Sequence, residues 1–320
     1  MPRDWASCAS MSRYVCGMAS STIPDELKAD LPQTKWGKVL GITPVVLTVI
    51  ATLLAGLSNG EMSRAQYERS LAAQQQSKAG DQWGLFQAKR LRGSIQRSTL
   101  DALHGQGATK SLSADALAAS AAKTDVASPA GRLAAVALAS GELPKISFTA
   151  NFPGAVTTAL KALEQGQSDA EVALALAALK PTDLDAALRL AHQQVTELDA
   201  QLQPVNRAID TMERTLTGDA LSRDFLAARL SYSAQRYDTE ARFNQIIANL
   251  HELQVRSSNL SADRHHRRSQ RFFYGMLAAQ TGVIMSTFAM AARKKNLLWS
   301  VAAAAGVAAV SFATYVYLFV

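Results

Sequence analysis

The histidines are the side chains of this chain best suited to chemistry near neutral pH, because imidazole can bind metals and carry protons. Three of the five stand alone on polar helical stretches, and His265 and His266 lie among four arginines, whose positive charge opposes cation binding. The two cysteines are confined to Cys8 and Cys16, and the usual phosphate-cradling, zinc-protease and nucleophile-elbow motifs do not occur. We therefore expect no catalytic residue, no cofactor and no metal site.

The basic cluster around this histidine pair precedes a long apolar run. One interpretation is an anchor at the membrane edge, since cations beside a span are attracted to anionic lipid headgroups. The alternative is a pH-sensitive contact with anionic lipid, because protonation of both histidines would add charge at that surface. The candidate headgroup contacts are Arg264, His265, His266, Arg267, Arg268 and Arg271.

Three apolar runs are long enough to cross a bilayer, which takes about 20 residues of helix. They comprise residues 39–57, 272–292 and 296–318, and no acidic residue follows position 271. The basic residues 293–295 separate the last two runs. A secretory signal is the alternative for the first run, but no clear cleavage site follows it. The lipid bilayer is thus the first partner that we expect.

Small residues at four-residue spacing within the last two runs permit close contact between the two helices. They are Ala278, Gly282 and Ser286 in one run, and Ala305, Ala309 and Ala313 in the other. Gln280 could add a hydrogen bond between the helices. Because no ionisable residue lies within these spans, the pattern indicates an anchor and does not favour a transport pathway.

The rest of the chain is polar and predicted to be helical. The lengths of the helix leaving the first span and of the helix returning to the second allow each to reach about 65–80 Å. Paired antiparallel, they would form a stalk that carries a helical cap. The expected segments are a partly disordered N-terminal tail (1–38), an outgoing stalk helix (60–104), an Ala/Ser-rich, partly disordered helical cap (105–182), a heptad helix (183–217) and a returning stalk helix (219–271).

The heptad helix has the clearest periodicity in the chain. Its apolar residues alternate steps of four and three between Leu184 and Leu216, which is typical of a coiled coil or a helical hairpin. We therefore expect residues 184–216 to be the surface through which the chain could self-associate. We also expect the helix to bend at Pro204. Ser168 and Glu171 form a predicted capping box upstream, and residues 146–152 alternate as a short extended segment would.

An aromatic and basic segment follows the first apolar run by about 20 residues. Residues 79–92 read AGDQWGLFQAKRLR. Trp83, Phe86 and Leu91 are the candidate protein-contact residues; they could pack on the returning helix or dock an unknown protein partner. The segment, with the first span and the split C-terminal apolar pair, resembles the bacterial membrane-protein family catalogued as domain of unknown function 4337. The resemblance covers residues 35–100 and 235–320; it implies a bacterial membrane location and brings no established activity.

The sequence thus predicts an all-α membrane protein with three transmembrane helices and a long, coiled-coil-like helical region outside the membrane. The net charge of +7 is concentrated beside the apolar runs, which favours lipid over nucleic acid as a partner. The basic turn at 293–295 favours a cytoplasmic N-terminus in the bacterial inner membrane, with residues 58–271 extracytoplasmic. The expected role is a scaffold or interaction protein, and the alternative is an accessory or regulatory subunit of a transport or envelope complex.

Overall fold

The computed structural model describes residues 35–107, 109–110, 112–113, 117, 128–141, 143, 152–215, 219–291 and 295–319. Every regular element among these residues is an α-helix, as the composition predicts. The expectations for the N-terminal tail, the extended segment at 146–152 and much of the Ala/Ser-rich region fall largely outside the described residues. The helices of the described part of the chain are α1 (Lys35–Gly105), α2 (Pro129–Ser140), α3 (Gly154–Glu164), α4 (Asp169–Ala177), α5 (Pro181–Thr215), α6 (Asp219–Ala291) and α7 (Lys295–Phe319).

Two of these helices each contain two of the predicted segments. The first apolar run and the outgoing polar segment form one helix, α1, and the returning polar segment and the second run form one helix, α6. Asn59 and Gly60 stand at the first predicted boundary, where such residues often end a helix, but α1 continues through both. The chain nevertheless divides into two compact units at those boundaries. The apolar unit comprises the described residues within 1–59 and 268–320, and the polar unit comprises the described residues within 60–267.

Each of α1, α6 and α7 contains an 18-residue window apolar enough to cross a membrane. Only 11–33 % of the residues in these windows are buried by protein, and large exposed side chains such as Val45, Phe288 and Val307 cover their outer faces. Water-soluble proteins rarely expose apolar surface on this scale. The apolar unit therefore has the length and the surface of a lipid-facing helix bundle.

Small residues bring the three helices of the apolar unit together. A Cβ placed on Gly282 would lie 3.0 Å from Leu47 Cδ1 and 3.3 Å from the Ala302 carbonyl oxygen. Ala279, Ser286 and Ala309 are fully buried. The predicted small-residue contact between the last two apolar runs is therefore present, with Gly282 beside Ala305. The prediction for Gln280 was wrong, because its side chain is exposed and makes no hydrogen bond with a described residue.

Within the polar unit, α1 and α6 meet through a face of small residues that repeats every seven positions. On α1 the residues are Ala65, Ala72, Ala79, Phe86 and Gly93, of which Phe86 alone is half-buried and the others are buried. On α6, Ala234, Ala241, Ala248 and Ala262 repeat at the same interval and are buried, with the half-buried Val255 in the series. A seven-residue period keeps one seam facing a partner helix over many turns.

Polar contacts show that the two helices run antiparallel. Position 93 of α1 lies against position 234 of α6, since a Cβ on Gly93 would be 3.5 Å from the Ala234 carbonyl oxygen. Further along, Gln75 contacts His251 at 3.1 Å. Near position 61 of α1, Glu61 contacts His265 at 2.5 Å. Rising residue numbers on α1 thus meet falling numbers on α6 throughout the polar unit.

The opposite side of α6 packs large side chains against α5. The heptad residues from Leu184 to Met212 lie on the inner face of α5, where all are buried except the half-buried Val195. Near one end they contact Leu250 and Leu253, in the middle Phe243, and near the other end Phe225 and Tyr232. The same seam is covered by α2 at one end and by α3 and α4 at the other. Helix α5 continues through Pro204.

The cap of α4 confirms the predicted capping box. The Glu171 backbone N–H donates to Ser168 Oγ at 3.4 Å, and the Ser168 backbone N–H donates to Glu171 Oε2 at 2.9 Å. The hydroxyl of Ser168 also donates to Glu171 Oε2 at 2.8 Å, and these hydrogen bonds lower the pKa of the Glu171 carboxyl. The charged form is stabilised because it accepts both bonds at the helix N-terminus.

Candidate interaction surfaces

Two of the three candidate protein-contact residues meet in the polar unit. The rings of Trp83 and Phe86 pack edge to face with centroids 5.4 Å apart, and the Arg90 guanidinium lies 5.9 Å from the Phe86 ring. Both side chains are half-buried; Phe86 belongs to the seven-residue series that faces α6, and Trp83 lies three residues before it. The pair is an amphipathic aromatic corner, and its exposed half can accept a partner side chain.

The third candidate, Leu91, does not join this corner. Its side chain is 63 % exposed, and Ile95, one helical turn further on, is 52 % exposed. Residues four apart on a helix are neighbours, so these two side chains form a small apolar stripe of their own. The position of Ile95 in this stripe was not predicted, although its spacing from Leu91 was visible in the sequence.

A charged network links the α1 segment after the aromatic corner to α6. Lys89 forms a salt bridge with Glu240, and the Lys89 ammonium lies 5.7 Å from the Tyr237 ring. The Arg236 guanidinium lies 4.8 Å from the same ring and 3.4 Å from Glu240. A tyrosine face between two cations is a favourable arrangement, because its quadrupole attracts both. These contacts attach the basic part of residues 79–92 to α6.

The candidate headgroup residues differ in their surroundings. In the polar unit, the side chain of His265 pairs with Glu61, which also binds Arg64 at 3.2 Å. Arg264 and Arg267 are exposed, and His266 is half-buried. The histidine that was predicted to face lipid is therefore engaged by a carboxylate of its own chain, which the sequence did not reveal because 204 positions separate the two residues.

The remaining two candidates lie in the apolar unit. Arg268 and Arg271 are half-buried, and the Arg271 guanidinium lies 4.9 Å from the ring of Tyr315 on α7. Between them Ser269 is buried; its hydroxyl donates to the Ser58 carbonyl oxygen at 2.9 Å, and the Ser58 hydroxyl donates to the Ser269 carbonyl oxygen at 3.0 Å. This reciprocal pair joins α1 to α6 where arginines flank the serine.

A polar cavity of about 430 Å³ lies beside Tyr232 in the polar unit. The Tyr232 hydroxyl donates to Asn206 Oδ1 at 3.0 Å, and Arg229 donates to Asp210 at 3.0 Å on the cavity wall. Burial raises the pKa of Tyr232 to about 12. These two side-chain contacts on the cavity wall join α5 to α6.

Among the described residues, no group of three or more His, Cys, Asp or Glu side chains could hold a metal ion. No curated protein and no solved structure matches the chain. A match to a family does exist, and it includes the first apolar run and the aromatic corner. Residues 36–136 match the family described as "Domain of unknown function (DUF4337)", the family that residues 79–92 resemble.

Proposed function

We propose that the chain is a bacterial inner-membrane protein whose three apolar helices anchor a helical interaction scaffold. The observation that carries the proposal is the contrast between its two units. One exposes large apolar side chains along helices of membrane length, and the other has a buried core between α5 and α6. The second unit has the extended helical surface on which partner proteins commonly dock. The proposal includes no catalytic step.

The scaffold's partner surface is proposed on α1. The aromatic corner of Trp83 and Phe86 and the exposed stripe of Leu91 and Ile95 lie within the region that matches the family. Exposed apolar residues on a helix, flanked by charges, are typical of a protein-contact surface. Self-association through residues 184–216 remains a prediction, and it would require α5 to leave its contacts with α6.

An accessory or regulatory role in a transport or envelope complex is the second candidate. It is favoured by the same exposed residues on α1, because a partner in such a complex would cover Leu91 and Ile95. Purification of the full-length protein in a mild detergent, followed by mass determination of the complex, separates the two roles. A pure homo-oligomer supports the scaffold, whereas a stoichiometric transporter supports the accessory role. A monomer without any partner would contradict both.

Substitutions refine this experiment. Leu91→Ser with Ile95→Ser removes the exposed stripe and is expected to release the partner without loss of folded protein, because both side chains are more than half exposed. Trp83→Ala tests the aromatic corner. Loss of folded protein would identify Trp83 as a packing residue, and loss of the partner alone would identify it as a docking residue.

The orientation is also a proposal. Residues 293–295 form a short basic connection, and short basic loops are retained on the cytoplasmic side of bacterial membranes more strongly than charges in long domains. This places the N-terminus in the cytoplasm and residues 58–271 outside it. The C-terminus then lies on the same side as residues 58–271.

A further inference from the structure

Arg268 and Arg271 are the charges of the apolar unit at the start of the apolar part of α6. The described residues of this unit, 35–59, 268–291 and 295–319, include no aspartate and no glutamate. No described side chain forms a salt bridge with either arginine. Both guanidinium groups thus lack an anionic partner among the described residues of their unit, and this distinguishes them from His265, which has Glu61.

Both guanidinium groups also have a donor atom without a hydrogen-bond acceptor among the described residues. Arg268 Nε and Arg271 Nη1 are buried atoms that find no acceptor among the described residues. Tyr315 offers Arg271 the face of its ring, which attracts the positive charge but leaves the in-plane N–H donors available. An unpaired charged donor is costly to bury, so these groups require acceptors other than the described residues.

The spacing of the two arginines indicates which kind of acceptor both guanidinium groups could bind together. Residues three apart on a helix project from neighbouring positions, with Cβ atoms about 5–6 Å apart. Two guanidinium groups at this separation can share one tetrahedral oxyanion, and each fork of N–H donors matches two phosphate oxygens. The next residues, Phe272 and Phe273, begin the apolar run, and Phe273 is exposed.

We propose that Arg268 and Arg271 bind the phosphate of an anionic phospholipid, with Tyr315 positioning Arg271 for this contact. A phospholipid satisfies both halves of the site, because its phosphate meets the guanidinium groups and its acyl chains cover the apolar surface that follows. The inference rests on the proposed membrane insertion. It assigns specific lipid recognition to two of the six basic residues and leaves the exposed Arg264 and Arg267 to interact with water and diffuse surface charge.

The test uses full-length protein in nanodiscs of phosphatidylcholine with or without phosphatidylglycerol, and measures the lipid retained after transfer to detergent by native mass spectrometry. Arg268→Gln with Arg271→Gln is compared with Arg264→Gln with Arg267→Gln, a control that removes the same charge from the same helix. We expect the first pair to lower phosphatidylglycerol retention by about tenfold or more, since each lost charge-assisted bond is worth about that factor. The control pair should retain the lipid within about twofold.

Three results would overturn the inference: equal loss in both pairs, no loss in either pair, or equal retention of phosphatidylcholine and phosphatidylglycerol by the unmodified protein. A separate arm adds inorganic phosphate to the protein in neutral detergent. If phosphate alone displaces all bound phosphatidylglycerol and protects the protein from heat equally well, the natural ligand is a soluble anion and the lipid assignment is wrong. Tyr315→Leu should weaken retention, whereas Tyr315→Phe should preserve it.

The inference and the proposed function can fail independently. If alkaline carbonate releases the unmodified protein from membranes, membrane insertion itself is refuted. If the protein stays in the membrane and shows no preference for anionic lipid, only the assignment of Arg268 and Arg271 is refuted. The folded state of every variant is checked by circular dichroism before lipid retention is compared.

Discussion

The small-residue face between α1 and α6 predicts a sharp difference between two adjacent alanines. Ala72 is 4 % exposed on that face, and Ala73, the next residue, is exposed. Substitution of either by leucine makes the same chemical change and has a similarly small effect on helix propensity. Only at position 72 must the added methyl and methylene groups enter the space between the two helices. Ala72→Leu should therefore destabilise the polar unit, and Ala73→Leu should not.

The magnitude follows from the cost of overpacking a tight interface, which is about 1–3 kcal/mol. For a domain of this size each kcal/mol lowers the unfolding midpoint by about 2–4 °C, so Ala72→Leu should lower it by about 2–12 °C. An exposed substitution changes stability by no more than about 0.5 kcal/mol, so Ala73→Leu should stay within about 2 °C of the parent.

The measurement is thermal unfolding of the full-length protein in a mild detergent, followed by tryptophan fluorescence. Trp83 is the only tryptophan between residues 60 and 267, so replacement of Trp5, Trp36 and Trp299 by phenylalanine restricts the signal to the polar unit. Equal midpoints for the two leucine variants, or a lower midpoint for Ala73→Leu, would refute the assignment of the α1 face that packs on α6.

Three further predictions concern other parts of the fold. Gly84→Ala should stabilise α1 by up to about 1 kcal/mol, because a Cβ there meets nothing within 4 Å and alanine favours the helix. Gly282→Ala should destabilise the protein by about 1–3 kcal/mol, because its Cβ would crowd Leu47 and the Ala302 carbonyl oxygen. Unfolding curves of the two variants, compared with the parent, check both. His251 is buried, and burial lowers its pKa, so the unfolded chain binds its proton more readily and stability should fall as pH drops below about 6.5. His251→Gln should reduce this loss of stability between pH 7 and pH 5, whereas substitution of the exposed His104 by glutamine should leave it unchanged. Urea midpoints measured at each pH check this, and an equal loss in both variants would contradict it. Tyr232→Phe removes the hydrogen bond to Asn206 and should cost about 0.5–1.5 kcal/mol, compared with almost no change for the exposed Tyr67→Phe, and equal urea midpoints for the two variants would contradict the contact.

The helices that carry strong hydrophobic contrast were predictable from the sequence. The three apolar runs stand out because acids are absent from them, and the inner face of α5 stands out because leucine, isoleucine and valine recur at alternating steps of four and three. The polar unit buries this α5 face against α6 and the short helices, so the periodicity identified a packed surface. It did not identify the partner, because a helical seam has the same pattern whether it packs within one chain or between two.

The face between α1 and α6 was missed for a physical reason. Its contacts are made mainly by alanine and glycine, which also occupy exposed positions of α1 such as Ala73 and Gly84, although Ala65, Ala72 and Ala79 repeat every seven positions. The large apolar residues Tyr67 and Leu91 on the same helix are both more than 60 % exposed. When two helices pack closely, small residues belong at the contact and large residues are displaced outward. The seven-residue repeat of small residues indicated the face that contacts α6, whereas the large side chains lay on other faces of α1.

At the candidate surfaces, too, one property could be predicted from the sequence and another could not. The charge of the basic cluster was evident in the sequence, but the sequence did not show that Glu61 pairs with His265 while Arg268 and Arg271 have no acidic partner among the described residues of their unit. Contacts between residues distant in the chain depend on the register of the two helices. That register is set by the small-residue face, which local periodicity of large side chains does not report.

The central claim is that three helices cross the membrane and leave the polar unit and the C-terminus on one side of it. Reporter fusions at residue 140, at residue 294 and at the C-terminus test it directly, with alkaline phosphatase active only outside the cytoplasm and a fluorescent protein active only inside. We predict phosphatase activity at residue 140 and at the C-terminus, and fluorescence at residue 294. Opposite sides for residue 140 and the C-terminus would contradict the three-span arrangement, and the inverse pattern at all three positions would contradict the orientation.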